Sequence, residues 1–191
     1  MTDSDIKIYY SKNDTQGISK EFQSVFESMN FHRLNGNLAK AKEFGFELAQ
    51  EIINSCDAKS QKSMKELFVK KFQTQAIMLQ VQVLLVFAVE AALHHEIKST
   101  EIVTTILNSM YEEIKKVYPN FYNNISDGAA FTFYYVAIGK KGDIGLNVGE
   151  AFAMLCGVKN AEDLIPSAKQ VWLKQAAYVH EEIEKCNFKQ D

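Results

Sequence analysis

The stretch from Ala76 to Leu93, AIMLQVQVLLVFAVEAAL, is the most apolar part of the chain. A helix that is apolar all round must be covered on every side, either by lipid or by the other helices of a domain. Three polar residues interrupt this stretch, Gln80, Gln82 and Glu90, and each is costly in a bilayer. Because positively charged flanks are also absent, the pattern favours the central helix of a helical domain over a membrane span.

Most of the other segments repeat apolar residues every three or four positions, the period of an amphipathic helix. The clearest such helix begins at Ser99 or Thr100, either of which can cap it, and ends before Pro119. Asn147, with Glu150 three residues later, resembles a capping box at the start of another. The first helical face along the chain comprises Ile18, Phe22, Val25, Phe26 and Met29.

Two stretches allow two interpretations. A continuous helix over residues 60–95 would be about 50 Å long, so we expect a kink or break near Gln73-Thr74-Gln75. The aromatic segment 131–138, FTFYYVAI, has the composition of a strand. However, Ser126 or Asp127 can cap a helix and Gly139 stands where a helix would end, so we predict a helix there.

Together these patterns predict an all-α fold: a single-domain bundle of about seven helices, residues 18–191, around a central apolar helix. Residues 1–17 lack the helical period and are predicted to be a flexible arm. Within this arm, only Ile6–Tyr10 alternates as a short strand does.

Charge and composition limit the classes of partner and the cellular compartment that we expect for this protein. The 21 basic and 24 acidic residues give a net charge of −3, and Arg33 is the only arginine. Because arginine is the main bidentate ligand of phosphate and guanine, we expect no nucleic-acid partner. The three widely spaced cysteines form no CxxC motif and fit a reducing compartment. The acidic N-terminus lacks the apolar core of a signal peptide, so we expect a cytoplasmic protein without a membrane partner.

A polar group at the end of the apolar helix is the first candidate site. Glu90 and His94 are four residues apart and share a helix face, and His180 has Glu184 one turn later. These four residues would carry a metal-dependent activity if they met in space. None of the histidines has a glutamate three residues before it, so the di-iron signature of helical bundles is missing. The favoured interpretation is a Glu90–His94 pair, with no metal and no cofactor.

A ligand pocket between helices is the second candidate site. Gln80 and Gln82 lie about 200° apart on the helix, so at least one must meet a neighbouring helix, a cavity or a subunit interface. The aromatic residues of segment 131–138 and of the last helix exceed what one core stripe needs. An interhelical hydrogen bond is favoured for the glutamines, and ordinary core packing for the aromatic residues. If a small molecule binds, the candidate lining residues are Gln80, Gln82, Glu90, His94, Tyr134 and Trp172.

The loop from Gly139 to Gly145 is rich in glycine and lysine and precedes a helix, an arrangement that can bind an anion. It matches neither GxxxxGK[ST] nor GxGxxG, so a surface loop is favoured.

Three functions therefore stay open. The leading one is a binding domain that acts through self-association or a protein partner, because apolar and aromatic faces are in surplus. The alternative is a small-molecule binding domain with an aromatic-lined pocket, similar in outline to the effector domain of a helical repressor. The third is a metal-dependent enzyme. No GxSxG motif, and no cysteine or serine placed recognisably beside a histidine, indicates nucleophilic catalysis.

Overall fold

The computed structural model describes residues 12–56, 65–126, 128–158 and 161–189. Within these ranges the chain is all-α, with two short 3₁₀ turns at Lys70–Phe72 and Ala161–Leu164 and no strand. The predicted fold class is confirmed. The eight α-helices that lie wholly within these ranges are α1 (Lys12–Leu34), α2 (Asn37–Cys56), α3 (Gln75–Glu96), α4 (Thr100–Val117), α5 (Pro119–Ser126), α6 (Ala129–Ile138), α7 (Ile144–Cys156) and α8 (Ile165–Cys186).

The apolar helix α3 lies at the centre of the bundle. It packs most extensively along α8 and also contacts α2, α4, α6 and α7. Its twelve buried residues occupy every side of the helix, as a helix that is apolar nearly all round requires. By length and composition α3 could cross a membrane, but 67% of its most apolar window is buried against the rest of the protein.

The expected break before this helix is present. Thr74 caps α3, because its side-chain oxygen accepts a hydrogen bond from the Ile77 backbone. The Gln73 side chain donates to the carbonyls of Lys65 and Phe68 at 2.8 and 2.9 Å and so holds the turn that precedes the helix. The predicted start of this element near residue 60 lies outside the described residues, as does the strand-like segment Ile6–Tyr10.

The starts of α5 and α6 differ in detail from the sequence pattern. Pro119 ends α4 as expected, but it also opens α5, because the missing N–H of proline costs nothing in the first turn of a helix. Segment 131–138 is helical, as predicted, but Gly128 precedes it with φ of +69°, where Ser126 or Asp127 was expected. Ser126 is instead the last residue of α5, and Asp127 lies outside the described residues.

The predicted capping box at Asn147 and Glu150 is wrong. Helix α7 begins at Ile144, and Asp143 caps it by accepting a hydrogen bond from the Leu146 backbone N–H at 2.9 Å. Asn147 is buried inside the helix, where its side chain donates to the Lys140 carbonyl at 3.4 Å. Because the Asp143 carboxylate already accepts from the first turn of α7, the helix begins before Asn147, which lies in its buried interior.

Helices α2 and α4 pack more closely than side chains usually permit. A Cβ atom on Gly45 would lie 2.3 Å from the Ile106 carbonyl oxygen and 2.8 Å from the Ser109 Cβ. The Ser109 hydroxyl also donates across the crossing to the Lys42 carbonyl at 2.7 Å. Glycine is therefore required at position 45 to bring the two backbones into contact.

Candidate functional site

Glu90 is held by two tyrosines rather than by His94. The Tyr111 hydroxyl, on α4, donates to its Oε2 at 2.6 Å, and the Tyr135 hydroxyl, on α6, donates to its Oε1 at 2.5 Å. The predicted Glu90–His94 pair is therefore wrong, and His94 is exposed at the end of α3. Since both carboxylate oxygens accept a charge-assisted hydrogen bond, Glu90 joins three helices at one point.

Both tyrosines are held in their neutral, donating form. Burial raises the pKa of Tyr111 well above its usual range, and the negative charge of Glu90 and its hydrogen bond raise it further. Burial likewise raises the pKa of Tyr135, followed by the hydrogen bond to Glu90 and its charge. Neither hydroxyl is therefore suited to act as a base near neutral pH.

The aromatic residues beside Glu90 pack against one ring, that of Phe87 on α3. Tyr134 stacks on it at 4.9 Å between ring centroids and Trp172 at 5.7 Å, while Phe131 and Tyr135 contact it edge to face. Tyr134 is fully buried, and burial raises the pKa of its hydroxyl, which has no hydrogen-bond partner among the described residues. Around Phe87, where the sequence suggests an aromatic-lined pocket, these rings therefore pack against one another.

The two glutamines of α3 have different surroundings. Gln80 is partly buried, and its Oε1 atom has no partner among the described residues. Gln82 lines an open groove of about 820 Å³ at the start of α3, together with Lys65, Gln75 and Leu79. Of the other candidate lining residues, Tyr134 and Trp172 both stack on Phe87, and Glu90 is bound by Tyr111 and Tyr135.

The four residues that would form a metal site, Glu90, His94, His180 and Glu184, do not come together as one group. His180 contacts Glu96 through Nδ1 at 3.3 Å and Glu184 through Nε2 at 3.8 Å, at the protein surface, while Glu90 is engaged by its tyrosines. In the described part of the chain, no three histidine, cysteine, aspartate or glutamate side chains come together in a way that could hold a metal ion.

In the loop after α6, the position where an anion could bind is taken by the carboxylate of Asp143. The Asp143 carboxylate caps α7 and pairs with Lys169 at 2.5 Å, and both contacts hold the pKa of Asp143 below its usual range. A carboxylate of the chain thus takes the position at the helix N-terminus that an anion would need.

One face of α1 carries four exposed apolar side chains. Phe22 is 72% exposed and Phe26 66% exposed, with Val25 and Met29 each at 48%. These four side chains lie at positions i, i+3, i+4 and i+7, so they form a single stripe, which we call the α1 face. The sequence pattern identified this stripe as a helix face, but the absence of a covering helix could be seen only in three dimensions.

The base of α1, unlike the face, is firmly held. His32 is buried, its Nδ1 accepts from Asn37 Nδ2 at 2.9 Å, and its Nε2 lies 3.1 Å from the Ser99 hydroxyl. Asn37 in turn pairs with both backbone groups of Lys189, at 2.7 and 3.0 Å. The side chain of Lys40 adds hydrogen bonds to the carbonyls of Cys186, the last residue of α8, and of Asn187, which follows it.

No protein-family model, curated protein sequence or solved structure matches this chain. Among the described residues, the α1 face is the most distinctive feature of the protein.

Proposed function

We propose that this protein is an interaction domain that binds a polypeptide through the α1 face. The observation that carries the proposal is the exposure of four apolar side chains in one stripe, Phe22, Val25, Phe26 and Met29. Contiguous exposed apolar surface of this kind is typical of protein interaction sites.

The contrast with α4 shows why this stripe is unusual in the molecule. Helix α4 is also amphipathic, and its apolar stripe is covered by the bundle; its buried members are Ile102, Val103, Ile106, Met110 and Ile114. Helix α1 has its main contacts with α2 and α4. A helix gains most of its stability from packing its apolar face, so α1 has the most to gain from a partner.

The anchored base supports the same proposal. His32 fixes the C-terminal end of α1 to α2 and to the cap of α4 through Asn37 and Ser99. The helix therefore presents its apolar stripe in a set direction, and a partner does not need to order it entirely. Preorganisation of this kind lowers the entropic cost of binding.

The proposal is tested by the native mass of the protein isolated at its natural level from the cells that make it. We expect a complex heavier than the 21.7 kDa chain. The double variant Phe22→Ser/Phe26→Ser should return the mass to that of the chain alone. The matched control Phe133→Ser/Val136→Ser removes two exposed apolar side chains from α6 and should leave the complex intact. A mass of 21.7 kDa for the wild type, or equal loss in both variants, would overturn the proposal.

A further inference from the structure

We propose that the partner is a second copy of this chain, and that two α1 helices pair antiparallel about a twofold axis between Val25 and Phe26. This inference rests on the proposed function, because it names the surface that the α1 face binds.

The spacing of the α1 face is symmetric about its own midpoint. Successive members are separated by three, one and three residues, so reversing the direction of the helix reproduces the pattern. A twofold axis at the midpoint brings Phe22 level with Met29 of the second copy, and Val25 level with Phe26 of the second copy. This spacing allows the same four positions to face one another in an isologous interface, in which one patch must be complementary to itself.

The area of the stripe fits a self-paired interface. An aromatic side chain buries about 150–250 Å², so two phenylalanines about two-thirds exposed offer roughly 200–350 Å². With the half-exposed Val25 and Met29, one α1 face provides roughly 300–500 Å² of apolar surface. A standard interface buries about 1,600 Å² in total, of which about 60% is apolar. Two α1 faces thus supply roughly 600–1,000 Å² of the required apolar area of about 1,000 Å².

The anchoring of α1 favours the antiparallel direction. Each helix is fixed to its own bundle at His32, six or seven residues beyond the midpoint. In an antiparallel pair the two anchors lie about 20 Å apart along the axis, at opposite ends of the contact. In a parallel pair both bundles would attach at the same level to helices only about 8–10 Å apart. The opposed helix dipoles add a small further preference.

The test uses purified full-length protein with a spin-labelled amino acid introduced by codon suppression at Lys20, Glu27 or Arg33, which are exposed positions on α1. Distances between labels on different copies are measured, and dilution with unlabelled protein confirms that they are intermolecular. The antiparallel pair predicts axial separations of about 5 Å at Glu27, about 17 Å at Lys20 and about 23 Å at Arg33. The measured distance should therefore rise in that order.

Each outcome decides one statement. Equal distances at the three positions would overturn the antiparallel arrangement and leave the proposed function standing. A purified protein that stays monomeric, while its complex in cells depends on Phe22 and Phe26, would overturn the second copy as the partner. In the expected case, Phe22→Ser/Phe26→Ser weakens the dimerisation constant by at least ~100-fold, because aromatic residues at the centre of an interface dominate its affinity. A change of less than tenfold would place the contact elsewhere and overturn the pairing.

Discussion

Gly45→Ala tests the close crossing of α2 and α4. The added Cβ would lie 2.3 Å from the Ile106 carbonyl oxygen, about 1 Å inside ordinary contact distance. A backbone carbonyl cannot rotate away as a flexible side chain can, so the two helices must separate. Their separation loosens the buried layer between them, which includes Leu48, Ile52 and Met110.

The expected cost follows from two opposing effects. Overpacking of a core typically costs about 1–3 kcal/mol, and a clash with backbone belongs at the upper end of that range. The better helix propensity of alanine returns up to about 1 kcal/mol. We therefore expect the free energy of unfolding to fall by about 2 kcal/mol, which lowers the Tm by about 4–8 °C for a domain of this size.

Urea unfolding, followed by circular dichroism, measures this loss. Gly139→Ala is the matched control, since its Cβ would lie 3.5 Å from the nearest atom and its φ of −75° suits any residue. The control should be unchanged or up to about 1 kcal/mol more stable. If the free energy of unfolding of Gly45→Ala lies within about 0.5 kcal/mol of the wild-type value, Gly45 does not lie against the Ile106 carbonyl.

Three further predictions concern other parts of the fold. Glu90→Gln should lower the free energy of unfolding by about 1–3 kcal/mol, because the neutral amide has one oxygen to accept from two tyrosine hydroxyls and its nitrogen can only donate. Ultraviolet titration should show Tyr111 and Tyr135 ionising at lower pH than in the wild type, because the charge of Glu90 no longer opposes their ionisation. Asn37→Ala should speed hydrogen exchange in the backbone after α8, and unchanged exchange at Lys189 would contradict the contact. Burial raises the pKa of the Cys156 thiol to about 12, so the folded state keeps a proton that the unfolded state loses near pH 9. The free energy of unfolding should therefore fall as the pH rises above 9. Urea unfolding at pH 8 and 10 should show a smaller fall in Cys156→Ala than in the wild type.

The sequence predicts local features of this fold well. The long apolar run of α3 and the regular stripe of α4 indicate both helices, and Ser99 caps α4 as expected. These features succeed because period and capping depend on residues within one or two turns of each other. The break before α3 was also foreseen, since a helix of about 50 Å does not fit a compact domain.

The contacts that define the candidate sites could not be predicted in the same way. Glu90 meets Tyr111 and Tyr135, which lie 21 and 45 positions further along the chain, and the apparent neighbour on its own helix, His94, faces solvent. The uncovered state of the α1 face is equally non-local, because it depends on which helices do not reach it. Periodicity identifies an apolar face but not the element that covers it.

The link between Asn37 and Lys189 has a consequence for the order of events during synthesis. The two residues are separated by 152 positions, so the contact cannot form until most of the chain has left the ribosome. At a translation rate of about 5–20 residues per second, this delay is roughly 8–30 s. During that interval α1 is already made, but the base that orients it lacks one of its attachments. Until Lys189 has been made, α1 of a nascent chain therefore emerges with its base incompletely held.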